Sequence, residues 1–262
     1  TMKAIEYKVY GGPEVFQLSE VAQPTPKPNE LLVKVHATTV TAADGMMREG
    51  KPEIGRLYLG LKGPKRKILG FEFAGEIVAL GAAVTAFQVG DKVFGGTTTL
   101  GCYAEYVCVS EKDVVATMPE NITFAEAAPV SGSAITALNF LKGKANIQAG
   151  QKVLIIGAAG GVGTYAVQYA KLMGAEVTGV CSTHNIPLAR SLGADHVIDY
   201  SQQDFTQNGQ QYDIIFDTVS KSSFAACKGW LTAKGIYLPT VVNGKVMRQM
   251  LWTSLIGGKK VK

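Results

Sequence analysis

The sequence predicts an α/β chain in two parts, a β-rich N-terminal half followed by a doubly wound parallel sheet. Three observations predict it. The run Val153-Leu-Ile-Ile-Gly-Ala-Ala-Gly-Gly-Val-Gly-Thr-Tyr-Ala-Val-Gln-Tyr-Ala-Lys171 sets four apolar residues, a buried strand, before a turn crowded with Gly157, Gly160, Gly161 and Gly163. An Ala-rich amphipathic run opens directly after it. The segments beyond alternate between apolar strands and helical patterns, as right-handed crossovers in a parallel sheet do. Residues 1–128 instead read as short strands with frequent turn signals, which places the domain boundary between residues 128 and 129.

Taken in order, Met2–Tyr7 alternates as a strand, Gly11-Gly12-Pro13 turns, and Gln23-Pro24-Thr25-Pro26-Lys27-Pro28 is a rigid surface linker. Leu31–His36, Ala74–Val78, Asp91–Phe94 and Tyr103–Val109 are further strands. Thr123-Phe-Ala-Glu126 is a capping box that starts a helix. Pro129 ends that helix early, and a second helical run covers Ser133–Leu141. The second half carries strands at Val153–Ile156, Val177–Cys181, His196–Asp199, Asp213–Phe216 and Ile236–Pro239.

Composition narrows the class. Of 262 residues, 47% are hydrophobic and 18% charged, which is the balance of a globular chain rather than a disordered one. A net charge of +5 is too mild to argue for nucleic-acid binding. Cys102, Cys108, Cys181 and Cys227 show no Cys-x-x-Cys spacing, so neither a zinc ribbon nor a redox motif is expected. The expected compartment is a reducing one, cytoplasmic or other. No apolar segment reaches membrane-spanning length.

The glycine turn points to a dinucleotide. Glycines let the backbone approach a pyrophosphate closely, and the first helical turn offers unpaired N–H groups at a positive dipole end. Gly157, Ala159, Gly160, Gly161, Val162 and Gly163 are therefore candidate cofactor residues. No Tyr-x-x-x-Lys pair follows the turn. An NAD site sets an acid about 20 residues past the first glycine, against the ribose 2′-hydroxyl. Here that place is Cys181-Ser-Thr-His-Asn185, without a carboxylate, and Glu176 falls too early. Ser182, Thr183, His184 and Asn185 offer hydroxyls, an imidazole and an amide that can donate to a 2′-phosphate, which favours NADP(H).

The motifs Gly70-Phe-Glu-Phe-Ala-Gly75, Val89-Gly-Asp-Lys-Val-Phe94, Tyr103-Ala-Glu-Tyr-Val107 and Ser191-Leu-Gly-Ala-Asp-His-Val-Ile-Asp-Tyr200 resemble those of the medium-chain dehydrogenase/reductases. The last is similar to their zinc-free quinone oxidoreductase (zeta-crystallin-like) branch. The resemblance runs in order along essentially the whole chain. It implies a GroES-like substrate domain, residues 1–128, then a Rossmann domain, residues 129–262, with the active cleft between them and assembly as a homodimer. Members of the family continue further and complete the Rossmann sheet. Here the sequence reaches Lys262 about where the last strand is expected to begin, so the sheet is expected to be C-terminally incomplete.

The resemblance also assigns roles. The places of the family's catalytic zinc ligands hold Thr41, Phe71 and Gly132, and Ala43 replaces the proton-relaying hydroxyl, so no metal is expected. Thr41 stands as the hydroxyl nearest the substrate oxygen. Met46 takes the place of a pocket tyrosine and gives soft apolar surface, core filling being the other reading. Thr136 matches a residue close to the nicotinamide. Tyr200 matches a tyrosine at the 2′-phosphate, His184 stands where close relatives carry Arg, and Thr218 completes the cofactor set. Asp44 and Glu72, which sit behind the metal in zinc enzymes, are expected to pair with a lysine or arginine.

Without a Lewis acid or a relay, a substrate that is already electrophilic is favoured. The expected activity is NADPH-dependent hydride transfer to a quinone or α,β-unsaturated carbonyl. The alternatives are a zinc-free alcohol or aldehyde oxidoreductase and a non-catalytic NADPH-binding protein. The stretch Lys51–Lys67 holds Lys51, Arg56, Lys62, Lys65, Arg66 and Lys67 against one acid, Glu53. It reads as a solvated basic loop, or as a weak contact for an anionic membrane surface or a phosphorylated substrate.

Overall fold

The structure is a computed structural model that describes residues 1–204 and 209–262. It divides into two compact units, Thr1–Gly132 and Ser133–Lys262.

In the first unit, β1 (Met2–Glu6) pairs antiparallel with β2 (Gln17–Val21). A five-stranded antiparallel sheet follows, built from β3 (Glu30–Thr38), β4 (Glu72–Leu80), β5 (Lys92–Gly96), β6 (Tyr106–Ser110) and β7 (Val114–Thr117) in the order β6-β3-β4-β5-β7. Its core is Leu31, Val33, Phe73, Ile77, Val93 and Val107, one face of each strand. Between β3 and β4 run α1 (Ala42–Arg48) and α2 (Arg56–Leu59), and α3 (Phe124–Ala127) follows the sheet. The stretch expected as a strand from Tyr103 pairs as β6 only from Tyr106. The N–H of Tyr103 goes instead to the carbonyl of Leu69, and its carbonyl to the N–H of Ile5. Thr123 and Glu126 form the expected reciprocal cap.

The second unit opens with α4 (Ser133–Leu138), which widens into a π-helical turn over Asn139–Lys144 and so outruns the expected end at Leu141. Lys144 Nζ lies 4.0 Å over the Phe140 ring at that turn. Then come β8 (Lys152–Ile156), α5 (Gly161–Leu172), β9 (Glu176–Cys181), α6 (Ile186–Ser191), β10 (His196–Asp199) and β11 (Tyr212–Asp217). The described chain closes with α7 (Phe224–Cys227), β12 (Leu231–Pro239), α8 (Gly244–Leu255) and β13 (Lys260–Val261). All six strands are parallel, in the order β10-β9-β8-β11-β12-β13. Val153 and Ile155 pack on one face and Leu154 and Ile156 on the other, so both faces are covered and the strands are apolar throughout.

At the β12 edge the sheet ends in the two-residue β13. Val261 is buried, pairs with Tyr237, and donates its N–H to Thr253 Oγ1 on α8 at 3.0 Å. Among the described residues no helix is long and apolar enough to cross a membrane.

Candidate functional site

The strand order of the second unit reverses between β8 and β11, which creates a crevice at their carboxyl ends. The glycine turn lies there. Gly157 has φ +84°, a left-handed conformation that favours glycine. The N–H groups of Gly157 and Ala158 both donate to the carbonyl of Val180 at 3.0 Å. A Cβ on Gly163 would stand 2.0 Å from the Gly157 carbonyl oxygen, so the helix closes on the turn only with glycine there. No side chain caps α5 at Gly160, which leaves its first N–H groups, those of Gly161, Val162 and Gly163, without an intrahelical acceptor. Ala159 is half-buried within the turn. The cradle fits a pyrophosphate.

Polar side chains at the end of β11 lie behind the turn. Thr218 Oγ1 donates to the carbonyl of Ile156 at 2.8 Å. The adjacent Asp217 is fully buried and accepts from the N–H groups of Val219, Lys221 and Ser222 and from Tyr237 Oη at 3.0 Å. Burial first, and then the neighbouring Asp217, push the Tyr237 phenol up, so it stays a donor. Ser133 on α4 also faces the turn, its Oγ 3.0 Å from where a Cβ on Gly161 would sit. Thr136 lies half-buried on the same helix. Sequence reading passed over Asp217 and Ser133. The strand-end position of the acid and the glycine at 161 were the only signals of them.

Residues Ser182–Asn185 form a tight turn after β9. Asn185 Nδ2 donates to Ser182 Oγ at 3.1 Å, and His184 Nδ1 lies 3.3 Å from the same oxygen. His184 and Tyr200 are both exposed. The fold also brings in a carboxylate that the local sequence lacks. Asp199 pairs in register with Cys181 and accepts from Thr183 Oγ1 at 2.5 Å and from the N–H and hydroxyl of Ser201 at 2.9 and 2.6 Å. The Ser201 hydroxyl and then that of Thr183 hold its carboxyl below the usual range. The Thr183 hydroxyl is therefore spent on the fold. Glu176 lies at the start of β9, 3.4 Å from His196 Nε2.

In the first unit, Thr41 is the N-cap of α1. Its hydroxyl donates to Asp44 Oδ2 at 2.6 Å and accepts from the Asp44 N–H, and its own N–H donates to the same carboxylate oxygen. The expected basic partner is corrected for Asp44. It is buried and, among the described residues, meets no lysine or arginine at ion-pair distance, because the helix start uses its charge. Glu72 accepts from the hydroxyl of Thr39. A Cβ on Gly132 would stand 1.7 Å from Glu72 Oε1, so no cysteine fits there while Glu72 keeps its place. Phe71 packs with Tyr7, Leu69, Leu100 and Tyr103.

Met46 and Met47 line a cavity of about 470 Å³ together with Tyr58, Leu59, Phe71 and Leu100. Its walls are apolar but for Lys51, Thr97 and Thr98. Among the described residues no three His, Cys, Asp or Glu side chains gather as a metal-ligand group. Cys102, Cys181 and Cys227 are buried, and that burial pushes their thiols up; half-buried Cys108 is pushed up to about 11.

Residues 27–120 match the family described as "Alcohol dehydrogenase GroES-like domain", and residues 161–240 the one described as "Zinc-binding dehydrogenase". The chain is 35% identical to a chloroplastic quinone-oxidoreductase homolog of Spinacia oleracea, over 99% of this chain and 80% of that one. It is 32% identical to the chloroplastic NADPH-dependent alkenal/one oxidoreductase of Arabidopsis thaliana, over 95% of this chain and 68% of that one. The quinone oxidoreductase structure from Coxiella burnetii superposes with a TM-score of 0.85 at 31% identity, covering all of this chain and 82% of that one.

Proposed function

The chain belongs to the medium-chain dehydrogenase/reductase family, on its quinone oxidoreductase side, and from that premise we propose that it is a metal-independent, NADPH-dependent reductase of quinones or α,β-unsaturated carbonyls. The observation that carries the reading is the set Thr41, Phe71 and Gly132. One caps a helix, one packs among aromatic rings, and the third has a carboxylate oxygen where a ligand's Cβ would be. These residues do not fit a zinc ion.

The turn from Gly157 to Gly163 would hold the pyrophosphate through backbone N–H groups, Thr218 keeps that turn in shape, and Asp217 shapes the loop behind it. Ser182, His184 and Asn185 present donors for a 2′-phosphate, beside which the exposed Tyr200 ring is free to stack. Thr136 is assigned to the nicotinamide side. When bound, the reduced cofactor supplies a hydride. Met46 and its apolar neighbours would hold a flat hydrophobic acceptor and exclude water from it. The proton of Thr41 is committed to Asp44, so this hydroxyl donates to a substrate oxygen only by giving that bond up. Solvent is accordingly the source of the proton that completes the hydroquinone or saturated ketone.

NADPH oxidation followed by absorbance tests the reading. We expect turnover with a simple quinone or enone and none with an aldehyde, unchanged by chelators. Turnover that needs about one tightly held zinc per chain overturns it.

A further inference from the structure

Within residues 51–67, the outward side chains Ile54, Leu57 and Leu61 and the basic run that follows them have no part in the reductase chemistry. The helical turns over 53–59 set Ile54, Leu57 and Tyr58 at i, i+3 and i+4, on one side. They are 75%, 67% and 73% exposed, and Leu61 beyond them is 69% exposed. The backbone beneath is anchored. Leu59 points inward, Arg56 Nε donates to the Gly50 carbonyl at 3.0 Å and its guanidinium lies 4.9 Å over the Tyr10 ring, and Tyr10 Oη donates to the Gly60 carbonyl at 2.7 Å. Directly after this apolar face come Lys62, Lys65, Arg66 and Lys67. All four are exposed, and among the described residues none of them makes an ion pair. The last three also line a cavity of about 500 Å³ that Lys27 borders.

Large exposed apolar side chains beside unpaired cations are an unusual combination for a free surface. Nucleic acid would use the cations and leave the apolar face wet. An anionic bilayer uses both, with apolar side chains at the acyl boundary and cations among the headgroup phosphates. We propose that residues 51–67 dock the protein on an anionic lipid surface, with Ile54, Leu57, Tyr58 and Leu61 inserted and Lys62, Lys65, Arg66 and Lys67 against lipid phosphates. Tyr58, Pro52 and Gly55 also line the Met46 cavity, so docking sets that cavity against the bilayer. Collection of a membrane-dissolved quinone there rests on the proposed function; the docking itself does not.

Co-sedimentation with phosphatidylcholine vesicles, with and without phosphatidylserine, tests this without any substrate. Binding is expected only where phosphatidylserine is present, and should fall with salt. The triple variant Lys62→Glu, Lys65→Glu, Arg66→Glu should bind at least about a hundredfold more weakly, at roughly fivefold per cation lost and with the added repulsion of three carboxylates. Leu57→Ser with Leu61→Ser should weaken binding about tenfold or more with the charge of the surface unchanged. NADPH titration and thermal melts confirm that each variant is folded. Equal sedimentation on both vesicle types, or a charge-reversed variant that binds like the parent, overturns the proposal. So does a concentration-dependent dimer that Leu57→Ser with Leu61→Ser abolishes, since a second copy would then cover the face.

Discussion

The two candidate binding regions are built on opposite principles. The glycine crevice is held by backbone and by polar groups whose partners are fixed, Thr218 on the Ile156 carbonyl beside the glycine turn and buried Asp217 with four donors in the loop after β11 and on β12. The cavity beside Met46 has walls of thioether, phenyl and aliphatic groups, few of which direct a hydrogen bond. A constant ligand with a pyrophosphate can be met by fixed donors, whereas a class of flat acceptors is met better by adaptable surface. The comparison yields predictions of unequal size. Damage to the rigid region should be large and specific to the cofactor, and damage to the soft one small and specific to the substrate.

Asp217→Ala should be the most severe. It removes the acceptor of Tyr237 Oη and of three backbone N–H groups in a fully buried place. A loss of about 3 kcal/mol or more in denaturant unfolding is expected, since buried donors left unsatisfied cost ~1–3 kcal/mol each and water recovers only some of them. A change below about 1 kcal/mol would mean that this network does not hold the loop after β11. Gly163→Ala comes next. Its methyl meets the Gly157 carbonyl, and forced displacement of the turn should cost ~1–3 kcal/mol and weaken NADPH at least tenfold. Fluorescence titration checks the second effect. By contrast Met46→Ala should raise KM for a quinone only a few fold and leave NADPH affinity alone.

The same division explains what was legible in the sequence. The expected second-half strands, such as Val153–Ile156 and Val177–Cys181, lie within the observed ones, because a strand buried on both faces must be apolar throughout. β2 and β7 escaped notice because their side chains are mostly exposed, Leu18 and Val114 included, so no alternation marks them. In the site, the glycines were readable since the turn needs them whatever surrounds it. Asp199 was not. It stands far along the chain from Ser182 and reaches that turn only through the parallel register of β10 on β9, a tertiary fact. Thr41 was read for its chemistry, while the capping geometry that occupies its hydroxyl was written three residues on, in Asp44.

His184→Arg sharpens the comparison at the edge of the rigid region, with a smaller effect. The histidine is exposed, and an arginine there presents a permanent charge and a planar fork of donors. At about pH 8 the variant should bind NADPH roughly three- to tenfold more tightly, NADH being unchanged, in line with a charge-assisted bond to the 2′-phosphate. Identical affinities in isothermal titration would remove His184 from the cofactor site.

Asp199→Asn has the smallest expected effect and asks whether the acid at this turn is scaffold or specificity. The Ser201 hydroxyl and then the Thr183 hydroxyl lower its carboxyl in the folded protein, relative to an unfolded aspartate near ~3.9. A depressed folded value means that these bonds stabilise the fold fully above that unfolded value, and that the contribution is lost as pH falls through the folded one. Asparagine still accepts from Thr183 through its amide oxygen but does not titrate. The parent should therefore lose more thermal stability between neutral pH and about pH 3 than the variant does. At neutral pH the variant sheds a negative charge beside the proposed 2′-phosphate subsite, so NADPH should tighten by less than about threefold at physiological salt, where screening is strong. NADH should not respond. Scaffold and specificity separate in the sign of the NADPH change. If the variant binds NADPH tenfold more weakly, with NADH following, the carboxylate shapes the Ser182–Asn185 turn, and the rigid principle of the glycine crevice extends to the 2′-phosphate end as well.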